Sequence, residues 1–300
     1  MMLRFGLPMI FVFLWSSAFV TGKEAVIYAT PFALLLLRFA IVALLFGGMF
    51  ALAGGLSQSQ TGSPPSQGTD WRSILATATV GVLLHGGYLG SVFLALDMGV
   101  PAGLTSLIVS MQPLLSSFLA IFLFAEAMRR VQWLGIGLGL AGVTIVLMPT
   151  IGGAFPLAGL GVAFLGLLAI TAGTLMQKKT GGKMGLLKSN FIQAVAAAGF
   201  YLVITPLLET PQIDWQLPFI LAMSWQILAV SLGAYMILMI LIKRDSMAAT
   251  SSLLFLVPPS TAIMAALWFG ERLTMTSLCG FALASAGVYL VTRYSSPATP

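Results

Sequence analysis

Charge is almost missing from this 300-residue chain: Asp, Glu, Lys and Arg make up 7% of it, against 59% apolar residues. Soluble domains run nearer a quarter charged and half apolar, so a water-soluble core of this composition would have no polar surface. Cysteine occurs once, at Cys279 inside an apolar stretch, which excludes a disulfide framework and a cysteine-based metal site. It reads as a small packing residue. No HExxH, no paired acids within an apolar stretch and no Walker sequence is present, so intramembrane hydrolysis and ATP hydrolysis by this chain are unsupported, and no cofactor is expected. Glu24, Asp97, Glu126, Glu209, Asp214, Asp245 and Glu271 all fall at the ends of apolar segments. A Na⁺ or H⁺ site built on a buried acid is therefore unsupported too. His85, the one histidine, remains the obvious proton carrier.

What the chain has instead is length of hydrocarbon. Mean hydropathy is +1.02, and a bilayer crossing needs about 20 apolar residues. Ten segments satisfy this: 5–22, 32–54, 73–96, 102–124, 131–149, 157–177, 186–207, 217–242, 248–269 and 274–293. If each crosses once, Arg4, Arg72, Arg129, Arg130, Lys178, Lys179, Lys183, Lys188, Lys243, Arg244 and Arg293 share one side. Only Lys23 and Arg272 take the other, and Arg38 lies within a segment. That bias is the positive-inside pattern and places both termini in the cytoplasm of a cell bounded by a plasma (inner) membrane. It also accounts for the basic pI without nucleic acid, because the basic residues are scattered over short loops. Trp71, Trp133, Trp215 and Trp268 lie near segment ends, where indoles favour the headgroup zone. The stretch from Gly55 to Asp70, rich in Ser, Gln, Gly and Pro, reads as a flexible linker. A signal peptide reading of Arg4 to Val20 competes with a first span; cleavage there would remove half of a repeat.

The chain overlays on itself. An offset of 145 residues puts Ser106 on Ser251, Pro113 on Pro258, Ala120 on Ala265, Glu126 on Glu271, Gly135 on Gly280 and Ala141-Gly142-Val143 on Ala286-Gly287-Val288. Nearer the N-terminus an offset of 155 fits better, with Gly6 on Gly161, Lys23 on Lys178 and Arg38 on Gln193, and the linker supplies the difference. Each half, 1–150 (with the linker at 55–71) and 151–300, holds five spans. Five is odd, so the halves insert upside down relative to each other. Inverted repeats of this kind are a plan of secondary transporters, whose halves exchange conformations to open alternately to either side.

The stretch "ALDMGVPAGLTSLIVSMQPLLSSFLAIFLFAEAMRRVQWLGIGLGLAGV", ending at Val143, is similar to the fourth and fifth helices of the EamA domain of the drug/metabolite transporter superfamily. "FLVPPSTAIMAALWFGERLTMTSLCGFALASAGV" resembles the second copy, and "FLWSSAFVTGKEA" with "PFALLLLRFA" the family's first two helices. The resemblance covers nearly the whole chain as two tandem domains. It implies an all-α membrane protein of ten helices in two inverted five-helix repeats, and a permease that often exports amino acids, other metabolites or drugs. The second-copy first helix, Val162 to Lys179, lacks the tryptophan the family pattern leads one to expect.

Polar groups at membrane depth usually face a cavity or another helix. Substrate-binding candidates are His85 and Tyr88, one turn apart; Gln112; Trp15 and Ser16, beside Ser17; and Trp225 with Tyr235, close to three α-helical turns apart. Each also has a plainer reading as helix packing. Pro113 and Pro258 each break a helix at matching places, a pointer to the transport path or simply a packing kink. Glu126 and Glu271 end equivalent helices and are candidate gates, or acids at a helix N-terminus. Thr171 and Thr174 are expected to bond their own backbone, Arg38 to snorkel or to pair with Glu24, and Gly135, Gly137, Gly139 and Gly142 to permit close helix contact. With Arg38 as the one cation within a span, phosphorylated cargo is disfavoured. The expectation is a monomeric secondary permease carrying small neutral or zwitterionic molecules outward. A lipid translocator or a non-transporting scaffold stands as the alternative.

Overall fold

The computed structural model describes residues 2–60, 70–124, 129–148, 156–180, 184–234, 236–237 and 253–294. Glu126 and Tyr235, two of the candidate residues, lie outside the described residues. Those described are helical almost throughout. We number the membrane segments α1 (Met2–Ala25), α2 (Pro31–Gln60), α3 (Trp71–Asp97), α4 (Ala102–Val109 followed by Gln112–Phe124), α5 (Arg130–Leu147), α6 (Leu157–Thr180), α7 (Leu186–Leu208), α8 (Leu217–Ala234), α9 (Leu254–Phe269) and α10 (Met275–Tyr294). Nine are long and apolar enough to cross a membrane, and α9 is a shorter apolar helix among the described residues. Large apolar side chains such as Leu44, Leu202, Leu207 and Leu267 are exposed on their outer faces. In a bilayer these meet lipid, and every backbone group within a helix is already paired.

The packing follows the internal repeat. Extensive contacts join α5 to α10 and α2 to α7, each helix to its own repeat counterpart. α1 packs on α8 and α9, as α6 packs on α3 and α4. The first segment is thus a working member of the bundle. Its Phe11, Val12, Phe19 and Val20 are buried.

α5 and α10 meet through glycines. A Cβ added to Gly142 would lie 2.6 Å from the Gly280 carbonyl oxygen, and one added to Gly287 would lie 2.5 Å from that of Gly135. Gly135 and Gly280 are repeat partners, as are Gly142 and Gly287, so the two contacts are one contact made twice about a pseudo-twofold axis. Only glycine lets the backbones approach this closely.

The helix breaks repeat as well. Before Pro113, α4 is interrupted by a turn at Ser110 and Met111, and resumes as Gln112–Phe124. In α9 a 3₁₀ turn, Leu253–Leu256, precedes the α-helix Val257–Phe269 with Pro258 in its first turn. The two thirteen-residue pieces are offset by 145 residues, because proline supplies no N–H to the turn before it. A second pair of irregularities carries no proline. α3 is π-wound over Val82–Tyr88 and α8 over Trp225–Ala234, again at matching depths. π-turns are rare and concentrate at functional sites.

At the end of the bundle away from the N-terminus, the α1–α2 and α7–α8 connections pair. Ala29 and Ile213 form an isolated bridge, the Thr30 amide donates to the Gln212 carbonyl, and the Asp214 amide to that of Tyr28. Glu209 accepts from the amides of Phe32 and Ala33 at the start of α2, an anion at the positive end of a helix.

Candidate functional site

Two contacts at mid-membrane join the repeats across the π-turns. Arg38 of α2 is 4% exposed and does not snorkel. Its Nε and Nη2 donate to Ser231 Oγ in the π-turn of α8, at 3.2 and 3.0 Å, and Ser231 Oγ donates to the Gln226 carbonyl at 3.0 Å. The expected partner Glu24 is engaged elsewhere, accepting from Trp268 Nε1. The second lies at the counterpart position: Gln193 of α7 packs against α3 at the start of its π-turn, where a Cβ added to Gly81 would lie 2.6 Å from the Gln193 Cα. Gln193 also donates to Ser189 Oγ at 3.1 Å.

An aromatic wall lines the space between. Phe39 lies beneath the Arg38 guanidinium, 5.7 Å from it, and is tilted against His85 with centroids 5.1 Å apart. Tyr201 of α7 stacks on Phe39 and Phe32. Its hydroxyl donates to the carbonyls of His85 at 2.7 Å and Gly86 at 2.8 Å. The single hydroxyl proton of Tyr201 is shared between the two from a neighbouring helix, and the Gly86 carbonyl also accepts from the Leu89 amide.

The other sequence candidates fall around this centre. Tyr88 is buried against it; His85 is half-buried. Trp225 Nε1 donates to Ser17 Oγ at 2.8 Å, tying α8 to α1. Ser16, fully buried, contacts the Val257 carbonyl at the start of the α9 helix. Trp15 packs on Phe11. Gln112 donates to Ser116 on its own helix at 2.8 Å, and Thr171 and Thr174 donate to their own backbone. Glu271 meets Lys23 at 2.6 Å and also accepts from the Ala102 amide at the start of α4, while Lys23 sits over Phe269. Gln226 went unnoticed in the sequence. It is fully buried, its Nε2 donates to the Ala18 carbonyl and Thr21 Oγ1, and its Oε1 has no donor. An open hollow of about 760 Å³ lies elsewhere, on the distal face, lined by residues such as Tyr28, Asp97, Gln212 and Asp214. It is a surface depression remote from the paired contacts, and we place the site at those contacts, where polar groups at membrane depth need a reason to be there.

A crystal structure of a protein superposes on this chain with a TM-score of 0.63 and 21% identity, over 95% of this chain and 94% of that one, a likeness of fold. A Bacillus subtilis protein named as an uncharacterized transporter is 26% identical over 95% of this chain and 90% of its own length. A probable amino-acid metabolite efflux pump of Salmonella typhimurium is 25% identical over 95% and 93%. These relatives are transporters, not enzymes. Residues 5–148 and 157–293 each match the model of the EamA-like transporter family, so this chain, a multi-pass membrane transporter of small molecules, belongs to that family.

Proposed function

We propose that the protein exports small neutral or zwitterionic metabolites, amino acids among them, across the inner membrane by alternating access. The observation that carries this reading is the mid-membrane centre: the buried Arg38–Ser231 contact, with Gln193 at the repeat-related position, at two π-turns beside an aromatic wall. The naming of the Salmonella relative supports the amino-acid class. In this reading both termini are cytoplasmic, the distal end faces outward, the protein works as a monomer, and repeats 1–150 and 151–300 rock about the centre. His85, Tyr88, Trp225 and Tyr235, with Trp15, Ser16 and Gln112 nearby, border the cargo. Pro113 and Pro258 supply the hinges. Glu271 with Lys23 closes the outer mouth, and Glu126 is its inner counterpart.

The test is counterflow in proteoliposomes preloaded with neutral and aromatic amino acids. Cargo-specific exchange that falls in His85→Ala and Trp225→Ala is the expected result. Absence of exchange for every amino acid offered would sink the reading, and lipid cargo would then be tried.

A further inference from the structure

We propose that Arg38 is the carboxylate-recognising residue of the central site, so that the cargo must carry a carboxylate; the inference rests on the transport reading above and deepens it. A buried cation is costly unless an anion pairs with it. Arg38 is buried between α2 and α8, and among the described residues no carboxylate bridges to it. Its partner is a neutral hydroxyl, and both bonds go to that one oxygen. A guanidinium has further N–H donors in a planar fork that matches a carboxylate bidentately. Ser231 fixes the fork from one side and is itself fixed by the Gln226 carbonyl; Phe39 supports the guanidinium from below. The cation is thus oriented without being neutralised.

The repeat supplies an internal control. Gln193 occupies the counterpart position, packs against the π-wound helix α3 and bears no charge. Helix packing at this position therefore does not need a cation. The charge in the first repeat is an addition to the common plan, and a ligand anion is what it adds. The buried Gln226 Oε1, without a donor, lies on the same π-turn, which suits a cargo that brings a donor group along with its carboxylate.

The experiment is competition in proteoliposome counterflow of phenylalanine, against phenylalaninamide, phenethylamine and 3-phenylpropanoate, for wild type, Arg38→Gln, Arg38→Lys and Ser231→Ala. Wild type should prefer the carboxylates over the amide and amine. Arg38→Gln should raise the apparent KM for phenylalanine on the order of 10- to 100-fold, the range of a lost charge-assisted hydrogen bond, while changing the weak amide signal by less than about threefold. Arg38→Lys keeps the charge but not the fork, and should recover part of the preference. Ser231→Ala, which leaves the buried charge in place, should shift KM severalfold for carboxylates alone. Monodisperse elution in detergent certifies each variant as folded. Wild type accepting amide and acid equally overturns the proposal and leaves the permease standing. So does an Arg38→Gln effect equal across all four compounds, or an unfolded Arg38→Gln accompanied by an unselective Ser231→Ala. Wild type exchanging none of the compounds overturns the transport reading itself, and this proposal with it.

Discussion

The α5–α10 pair and the centre between α2, α3, α7 and α8 are built from the same repeat, and they treat its symmetry in opposite ways. At α5–α10 the symmetry is kept down to single atoms: Gly142 faces Gly280 as Gly287 faces Gly135. At the centre the helix pairing is kept and the chemistry is not, since Arg38 donates to Ser231 from α2 to α8 where its counterpart Gln193 donates to Ser189 within α7. A contact whose role is to hold two backbones together gains from being made twice. A contact that must tell one end of a small molecule from the other cannot be symmetric. The first region is scaffold and the second is where discrimination is expected.

The scaffold should break hardest. Gly142→Ala puts a methyl into the Gly280 carbonyl and the backbone of α10. Neither neighbour is a flexible side chain that can swing away. We expect a loss of about 1–3 kcal/mol, as for other overpacked sites, read as a lower melting temperature in detergent. Gly137→Ala on the same helix meets nothing within 4 Å and should stay within about 0.5 kcal/mol of wild type. Equal effects from the two would mean that close approach is not what holds α5 to α10.

The centre should respond next through Tyr201→Phe. The substitution keeps the stacking on Phe32 and Phe39 and strips the hydroxyl from two buried carbonyls. The shared proton is lost while the Gly86 carbonyl keeps the Leu89 amide, so the cost is on the order of 1 kcal/mol. Because the carbonyls belong to the π-turn, amide hydrogen exchange over Val82–Tyr88 should quicken more than elsewhere in α3. Uniform quickening along α3 would remove the hydroxyl from any special role in holding the turn. Lys23 and Glu271 come below this: they are partly exposed at the distal end, and a double-mutant cycle with alanine should give a coupling on the order of 1 kcal/mol.

The scaffold was far more legible than the centre. The apolar runs marked the spans, and the 145-residue offset paired Gly135 with Gly280 and Pro113 with Pro258 before any helix was placed. Proline announces a break in sequence because the missing N–H is a property of the residue. The π-turns announce nothing: within Val82–Tyr88 only Gly86 and Gly87 hint at irregular winding, and nothing in Trp225–Ala234 does so more than its single Gly233. π-winding also changes the residues per turn, so an α-helical count from Trp225 does not hold along α8. From sequence Arg38 reads as a side chain that snorkels or pairs with Glu24, because α2 is apolar all round and such a helix offers no stripe to say which way a given residue turns. One signal was present. The 155-residue offset had set Arg38 on Gln193, two polar residues at one depth of two lipid-buried helices, and that coincidence pointed inward.

Gln193 gives the finest cut between symmetric plan and asymmetric chemistry. It is 5% exposed and donates as a neutral amide to Ser189. Gln193→Met keeps the length and shape of the side chain and removes that bond. A neutral hydrogen bond contributes a net 0.5–1.5 kcal/mol, roughly, and nothing in this contact distinguishes an acid from an amide. The expected outcome is a fall in maximal exchange of roughly 2- to 13-fold, with apparent KM unchanged and the same factor for phenylalanine and phenylalaninamide. A selective loss of the carboxylate would show that both repeat-related contacts read the charged end of the cargo, and the asymmetry between Arg38 and Gln193 would then be one of strength rather than of kind.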